Sequence, residues 1–294
     1  MPRPGWPARE GKMSMKGKTV LVTGANSGMG LATTVEMARR GAHVIMACRS
    51  RKRGEEALAE AVRQSGSDQI RLMLCDLGSF ASIRAFAEEF TAGYPVLDVL
   101  INNAGVVAIR RELTSDGYEQ DLGVNHLGHF LLTMLVLDNL KHAEQGRIVV
   151  VASGAYKIGK LHLEDHTLSR GFNPAKAYAR SKLANILFTR ELAAQLKGTR
   201  VTANCVHPGA VGTSIGVNRE TGFGRSLLKL LSYFFLTPEK GADTAIYLAA
   251  APELSEVSGQ YYYRREIKEL SPRAKNTEEA ARLWKWSLEQ TGLN

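Results

Sequence analysis

Cysteine is scarce: the chain of 294 residues holds three, Cys48, Cys75 and Cys205. Their wide spacing fits neither a disulfide framework nor a zinc site, so reduced thiols in a cytoplasmic protein are expected and a metal centre is not. Long apolar runs are missing as well. The longest, around Leu227 to Leu236, is broken by Lys229 and is too short to span a bilayer. The stretch from Met1 to Lys18 carries Pro, Gly, Arg and Lys without an apolar h-region, so neither a signal peptide nor a membrane anchor is expected there. Acidic residues are in deficit, 29 against 38 Lys and Arg, which gives a net charge of +9. That bias attracts anions, yet the basic residues are scattered and no run resembles a nucleic-acid-binding arm. A phosphorylated small molecule accounts for part of it, and no nucleic-acid partner is expected.

What is present is ordinary for a globular protein, with 44% apolar and 23% charged residues and 28 glycines for tight turns. The length suits one α/β domain, read as residues 17–294 behind a flexible N-terminal tail at 1–16. There is no internal repeat and no interdomain linker. Short runs rich in Val, Ile and Leu alternate with longer amphipathic stretches, the pattern of repeated strand-helix units and a parallel sheet. Strands are predicted at Thr19 to Thr23, His43 to Ala47, Arg71 to Leu74, Val99 to Ile101, Arg147 to Ala152, Val201 to Val206 and Gly259 to Tyr263. Helices are predicted at Met29 to Arg40, Arg53 to Gln64, Ser79 to Tyr94, Gly117 to Leu140, Lys176 to Leu196, Pro238 to Ala250 and Glu278 to Gln290. The expected fold is a doubly wound, Rossmann-type sheet of about seven parallel strands flanked by helices, with ligands at the carboxyl ends of the strands.

The first strand-to-helix turn reads Thr23-Gly24-Ala25-Asn26-Ser27-Gly28-Met29-Gly30. Glycines there let the backbone turn sharply, approach a pyrophosphate and present helix N-terminal N–H groups to it. The spacing departs from the Gly-x-Gly-x-x-Gly fingerprint, but the place between strand and helix favours phosphate binding over a bare turn. Gly17-Lys18-Thr19 is no P-loop, because it precedes the strand and Lys12 stands where the leading glycine belongs. After the second strand, Cys48 is followed by Arg49, where dinucleotide folds that use NAD often carry an acid for the ribose 2′-hydroxyl. A neutral residue beside a guanidinium favours the 2′-phosphate of NADP(H) over NAD(H), unless Arg49 only joins Arg51, Lys52 and Arg53 on a solvated helix start. Asp76, past the third strand, is placed either to accept from an adenine amino group or to cap the next helix.

Tyr178 and Lys182 are four apart on a predicted helix, which sets a phenol and an ammonium on one face. The ammonium is expected to pull the phenol pKa down, making Tyr178 a general acid or base toward a carbonyl or alcohol. Taken together these motifs resemble the short-chain dehydrogenase/reductase family over nearly its whole length. Thr23 to Gly30 resembles its cofactor turn, Asn102-Asn103-Ala104-Gly105 its strand-four motif, Asn125 its helical Asn and Ser153 its catalytic serine. Tyr178 and Lys182 resemble its Tyr-x-x-x-Lys pair, and Pro208-Gly209 with Thr213 the segment that holds the nicotinamide amide. Ala47-Cys48-Arg49, Cys75-Asp76-Leu77, Ser181 to Asn185, His207-Pro208-Gly209 and the longer separation of Ser153 from Tyr178 resemble the retinol dehydrogenase-like branch. Ala152 stands where that branch often has a second Ser.

The resemblance implies hydride transfer between NADP(H) and a small-molecule carbonyl or alcohol. Its catalytic residues would be Ser153, Tyr178, Lys182 and Asn125, the last positioning a water in a relay to Lys182. Its cofactor-binding residues would be Gly24, Asn26, Ser27, Gly28, Met29, Gly30, Arg49, Asp76, Leu77, Asn103, Ala104, Gly105, Tyr178, Lys182, Pro208, Gly209, Val211 and Thr213. Lys182 would also hold the nicotinamide ribose. Residues 213–237 would form a lid, and its apolar residues from Phe223 to Phe235 suit a lipophilic substrate or equally a helix packed on its own core. Peripheral membrane contact of that lid and a homo-oligomer stay open. His162 and His166 sit in the insert between strand and helix and are read as a solvated loop, not as metal ligands. The alternative to an enzyme is an idle NADP(H)-binding sensor, which would have no need of Ser153.

Overall fold

The computed structural model describes residues 13–209 and 237–293. Its strands are β1 Thr19–Thr23, β2 His43–Cys48, β3 Ile70–Leu74, β4 Val99–Asn102, β5 Gly146–Val151, β6 Val201–Val206, β7 Tyr261–Tyr263 and β8 Glu266–Ile267. They form one sheet in the order β3-β2-β1-β4-β5-β6-β7-β8. The seven expected strands are all there and run parallel, with β1 pairing β2 on one side and β4 on the other. An eighth was not foreseen. The short β8 returns antiparallel against β7 and ends the sheet, and two residues are too few to leave a period-two signal.

Its helices are α1 Gly28–Arg39, α2 Arg51–Ser65, α3 Phe80–Gly93, α4 Gln120–Leu122, α5 His129–Leu135, α6 Leu137–Lys141, α7 Pro174–Gln195, α8 Pro238–Ala250 and α9 Thr277–Thr291. Alternation along each strand divides the core in two. Val20, Val22, Val44, Met46, Val149 and Val151 pack with α1, α2 and α8, while Leu21, Ile45, Leu100, Ile148 and Val150 pack with α3, α5, α7 and α9. Strands buried on both faces read as continuous apolar runs, which is why they were visible in the sequence.

Two expectations need correction. The helix predicted from Gly117 to Leu140 is interrupted. Gly117 adopts φ 88° in a turn, α4 starts only at Gln120, a π-helical segment spans Gly123–Gly128, and a break at Val136 separates α5 from α6. The Glu119 carboxylate starts the element by accepting from the Asp121 and Leu122 N–H groups at 2.8 and 3.1 Å. The tail drawn at 1–16 is also too long. Residues 1–12 lie outside the described chain, but Met13 and Met15 are buried in the α1 side of the core, and Met15 N–H donates to the Arg40 carbonyl at 2.9 Å.

Candidate active site

The order of the sheet reverses between β1 and β4, and the crevice beyond the carboxyl ends of these strands is where such folds take ligands. At the end of β1, Gly24 and Gly28 adopt φ of 64° and 54°, values that an L side chain rarely tolerates. A Cβ on Gly24 would stand 2.9 Å from the Ala104 Cα, and one on Gly30 would collide with the Gly24 carbonyl oxygen. Asn26, Ser27 and Met29 lie between them, only partly buried, and α1 starts at Gly28 with no side-chain hydrogen bond capping its N–H groups. That cradle of bare N–H groups fits a pyrophosphate.

Thr23 ties the cradle to β4. Its Oγ1 accepts from the Asn103 and Ala104 N–H groups at 2.9 and 3.0 Å and lies 2.8 Å from His129 Nε2. The other ring nitrogen of His129 is 3.0 Å from the Asn125 carbonyl oxygen. A carbonyl can only accept, so His129 carries its proton on Nδ1 and takes a hydrogen bond from the Thr23 hydroxyl at Nε2. Burial holds that ring neutral, with its pKa down to about 4. Asn103 Nδ2 donates back to the Thr23 carbonyl at 2.8 Å. The whole Asn103-Ala104-Gly105 turn is thereby fixed against the glycines of β1.

Arg49 follows β2 and is exposed. Asp76 follows β3, where its Oδ1 accepts from Gly78 N–H at 2.9 Å; the helix cap of α3 is Ser79, not Asp76. Leu77 is a core residue, and its carbonyl oxygen would meet any Cβ added at Gly128. Pro208 and Gly209 follow β6, with Gly209 N–H donating to His207 Nδ1 at 3.3 Å. Val211, Thr213 and all of the 213–237 lid segment except Thr237 lie outside the described residues.

Ser153 leaves β5 in extended conformation and starts a 3₁₀ turn at Gly154–Ile158, its Oγ accepting from Ala155 N–H at 3.2 Å. Helix α7 passes across this end of the sheet. Asn173 caps it, accepting from Lys176 N–H at 3.0 Å, and Pro174 provides a fixed φ at the first position. One turn in, Tyr178 stands beside Ser153, near enough for the serine to favour its phenolate. Lys182 is buried beneath, 5.6 Å from the Tyr178 ring centre, and its Nζ donates to the Val151 carbonyl at 3.0 Å. A Cβ on Gly105 would stand 3.6 Å from both Lys182 Nζ and Asn125 Oδ1. The structure therefore brings Ser153, Tyr178, Lys182, Asn125 and the strand-four turn to one place.

The electrostatics differ from the sequence expectation. Burial raises the Tyr178 pKa, the Asp121 carboxylate raises it further, and Ser153 opposes both. Lys182 is not among the groups that move the phenol, and burial works on it as well. Its pKa falls to about 8, with Asp121 pushing the other way. The Asn125 amide is fully engaged. Its Oδ1 accepts from Val106 N–H at 2.8 Å, and its Nδ2 donates to the Val106 carbonyl and Ser181 Oγ, both at 3.0 Å.

Several roles in this cluster were not read from the sequence: Thr23 as a hub, Ser181 as the partner of Asn125, His129, Asp121 and the buried pair of Arg180 with Glu119 at 2.9 Å. Glu119 alone left a signal, as an acid three residues before an apolar run. His162 and His166 prove to be loop residues. The first meets Glu164 at 3.2 Å, and the second packs its ring on Tyr118 and Trp286.

A doubly wound sheet with a glycine cradle at its switch point defines a dinucleotide-binding protein. The description of the short chain dehydrogenase family matches residues 18–222, and the chain belongs to that family of nicotinamide-dependent oxidoreductases. It is similar to retinol dehydrogenase 14 of Mus musculus, with 47% identity over 291 residues that cover 95% of this chain and 87% of the relative. It is also similar to dehydrogenase/reductase SDR family member 13 of Bos taurus, with 43% identity covering 98% and 76%. Among solved structures, a protein from Mycobacterium paratuberculosis shares 36% identity, covers 98% of each chain and superposes with a TM-score of 0.78.

Proposed function

We propose that the chain is an NADP(H)-dependent oxidoreductase acting on a lipophilic carbonyl or its alcohol, with Tyr178 as the proton-transferring residue. The observation that carries this reading is the buried Lys182 ammonium 5.6 Å from the Tyr178 ring centre, at the end of β5 that carries Ser153 and next to the Gly105 turn. The glycine cradle and the α1 N-terminus would hold the pyrophosphate, Asp76 and Leu77 would flank the adenine, and Arg49 would meet the 2′-phosphate. Asn103 to Gly105, Lys182 and Pro208 to Thr213 would hold the nicotinamide end. Bound NADPH supplies a hydride from its nicotinamide C4.

The side chains manage the charge that the substrate oxygen then develops. Ser153 donates a hydrogen bond to that oxygen and Tyr178 gives it a proton, leaving the alcohol. A phenol whose pKa is raised is protonated at neutral pH, the form that a proton donor to a carbonyl needs. In the reverse direction Tyr178 takes the proton back. A water relay from Lys182 would share the Asn125 carbonyl with His129 Nδ1–H, since the Asn125 amide is already occupied.

A lipophilic substrate is supported by exposed apolar residues on the segments that follow β4 and β5. Ile109 and Leu113, in the loop after β4, and Ile158, in the turn after Ser153, are large apolar residues left exposed. The similarity to retinol dehydrogenase 14 points to retinoid-like compounds, with steroid-like and cyclic or aliphatic ketones as the wider class. Three free, buried thiols are in keeping with a cytoplasmic protein.

The decisive experiment is Tyr178→Phe. Turnover on a panel of aldehydes and ketones is expected to vanish while NADPH fluorescence titration shows binding nearly unchanged; retained turnover would refute the assignment. The cofactor preference is tested separately by Arg49→Ala. Losing a charge-assisted contact of about 1.5–3 kcal/mol should weaken NADPH roughly ten- to hundredfold and leave NADH unaffected. An equal loss for both cofactors would favour the solvated reading of Arg49.

A further inference from the structure

Behind the Tyr178 and Lys182 pair lies a buried cluster of four charges that the proposed chemistry does not use. Two of them satisfy each other. Arg180 donates to Glu119 at 2.9 Å, and Glu119 in turn caps α4 through the N–H groups of Asp121 and Leu122. Both side chains are almost wholly buried. The remaining two are Asp121, on α4, and Lys182, on the facing surface of α7.

Asp121 is completely buried. Its Oδ1 accepts from Ala108 N–H at 2.8 Å, whereas its Oδ2 has no hydrogen-bond partner among the described residues. An orphaned carboxylate oxygen in the interior is costly unless a nearby cation neutralises it. Among the described residues, the charges that act on it come from its own segment and from α7. Glu119 stands beside it on the same segment, the backbone of Ala108 lies on one side, and Tyr178, Arg180 and Lys182 face it from α7. Arg180 is committed to Glu119, to the Asp165 carbonyl at 2.9 Å and to the His166 carbonyl at 3.4 Å. Among the described residues, Lys182 has only a neutral hydrogen-bond partner, the Val151 carbonyl, and no carboxylate within ion-pair distance.

We propose that Asp121 is a positioning residue whose carboxylate, standing behind Tyr178, keeps the Lys182 side chain as an ammonium. The two then hold their protons as a coupled pair: an ionised Asp121 stabilises the ammonium, and a protonated Asp121 leaves it without a counter-charge. Asp121 is pushed up to about 7 mainly by burial, and it is the charge that raises Lys182. Because the ammonium is the group that the proposed chemistry places under the ribose and the phenol, this inference rests on the proposed function for its consequence, though not for its test.

The test is a titration of Lys182 in cofactor-free protein labelled with [13Cε]lysine, its resonance assigned by loss in Lys182→Arg. Asp121→Asn keeps the shape and an acceptor for Ala108 N–H but removes the charge. The Lys182 midpoint should move down by about one pH unit, a tenfold loss of proton affinity. Asp121→Glu, which restores the charge, should return the midpoint most of the way. The Glu variant also serves if the Asn variant does not fold, since its midpoint must then stay within about half a unit of the unsubstituted protein. An unchanged midpoint in Asp121→Asn, or an Asp121→Glu midpoint displaced by a full unit, overturns the proposal. Turnover plays no part in this reading, so failure of the Tyr178→Phe experiment would sink the proposed function and leave the Asp121 result standing.

Discussion

At the scale of single residues the cofactor turn shows how little freedom the site allows. Gly30 has an ordinary backbone conformation, so torsion does not demand glycine there. Space does: a Cβ would collide with the Gly24 carbonyl oxygen and stand 2.6 Å from Asn103 Nδ2. Neither atom is the far end of a flexible side chain, because Asn103 Nδ2 is itself bonded to the Thr23 carbonyl. Gly30→Ala must therefore displace the turn from the strand-four motif. NADPH affinity in a fluorescence titration is expected to fall at least tenfold, about 1.4 kcal/mol, while the secondary structure persists. Affinity within twofold of the parent would show that the cradle is not the phosphate site.

At the scale of elements the helix region from Glu119 to Lys141 is the part that sequence periodicity misjudged. Periodicity sees one amphipathic stretch, but three local events cut it. A glycine turn delays its start, a π-helical segment carries Asn125, and the break at Val136 separates α5 from α6. The start depends on Glu119, which spends one carboxylate on two helix N–H groups and on Arg180 of α7 at once. Removing one partner of a buried ion pair leaves the other charge unpaired, at a cost of about 3–5 kcal/mol. Glu119→Ala should lose about that much in urea unfolding, and it should lower turnover as well, since α4 and α7 carry Asp121, Tyr178 and Lys182. A loss below about 1 kcal/mol, the range of an exposed pair, would mean that the bridge does not hold the two elements together.

At the scale of the whole molecule, three buried titrating groups give stability a predictable dependence on pH. His126 and His129 titrate at about 3 and about 4 in the fold, against 6.5 when exposed. Between about pH 4 and 6.5 the unfolded chain therefore binds two protons that the folded one refuses, and stability rises with pH. Asp121 acts in the opposite sense, since at about 7 against 3.8 the folded state binds the extra proton across the same window. His43 and His207, also lowered mainly by burial, act with the two rings, so the unfolded state binds at least one net proton. Acidification from pH 6.5 to 4.5 should thus cost about 1.4 kcal/mol per pH unit, and the loss should be visible in denaturant midpoints. Flat or rising stability on acidification would show that the two rings are not held neutral.

The sequence by itself determined the class of protein. Its buried parallel strands are continuous apolar runs, and the glycine turn, Asn103 to Gly105, Ser153 and the Tyr178 to Lys182 spacing each leave a short linear pattern. These are backbone requirements or contacts within a single turn, and such requirements are written locally. Tertiary structure alone decided how the site is wired. That Thr23 joins two strand ends to His129, that the Asn125 amide is consumed by Val106 and Ser181, and that burial and Asp121 raise Tyr178 all depend on residues brought together across tens of positions. Asp121 is the sharpest case. In the sequence it is one acid among polar neighbours at the start of a helix, and only the packing of α4 on α7 removes it from water and sets its charge against Lys182. Desolvation is a property of the enclosed volume, and no spacing along the chain encodes it.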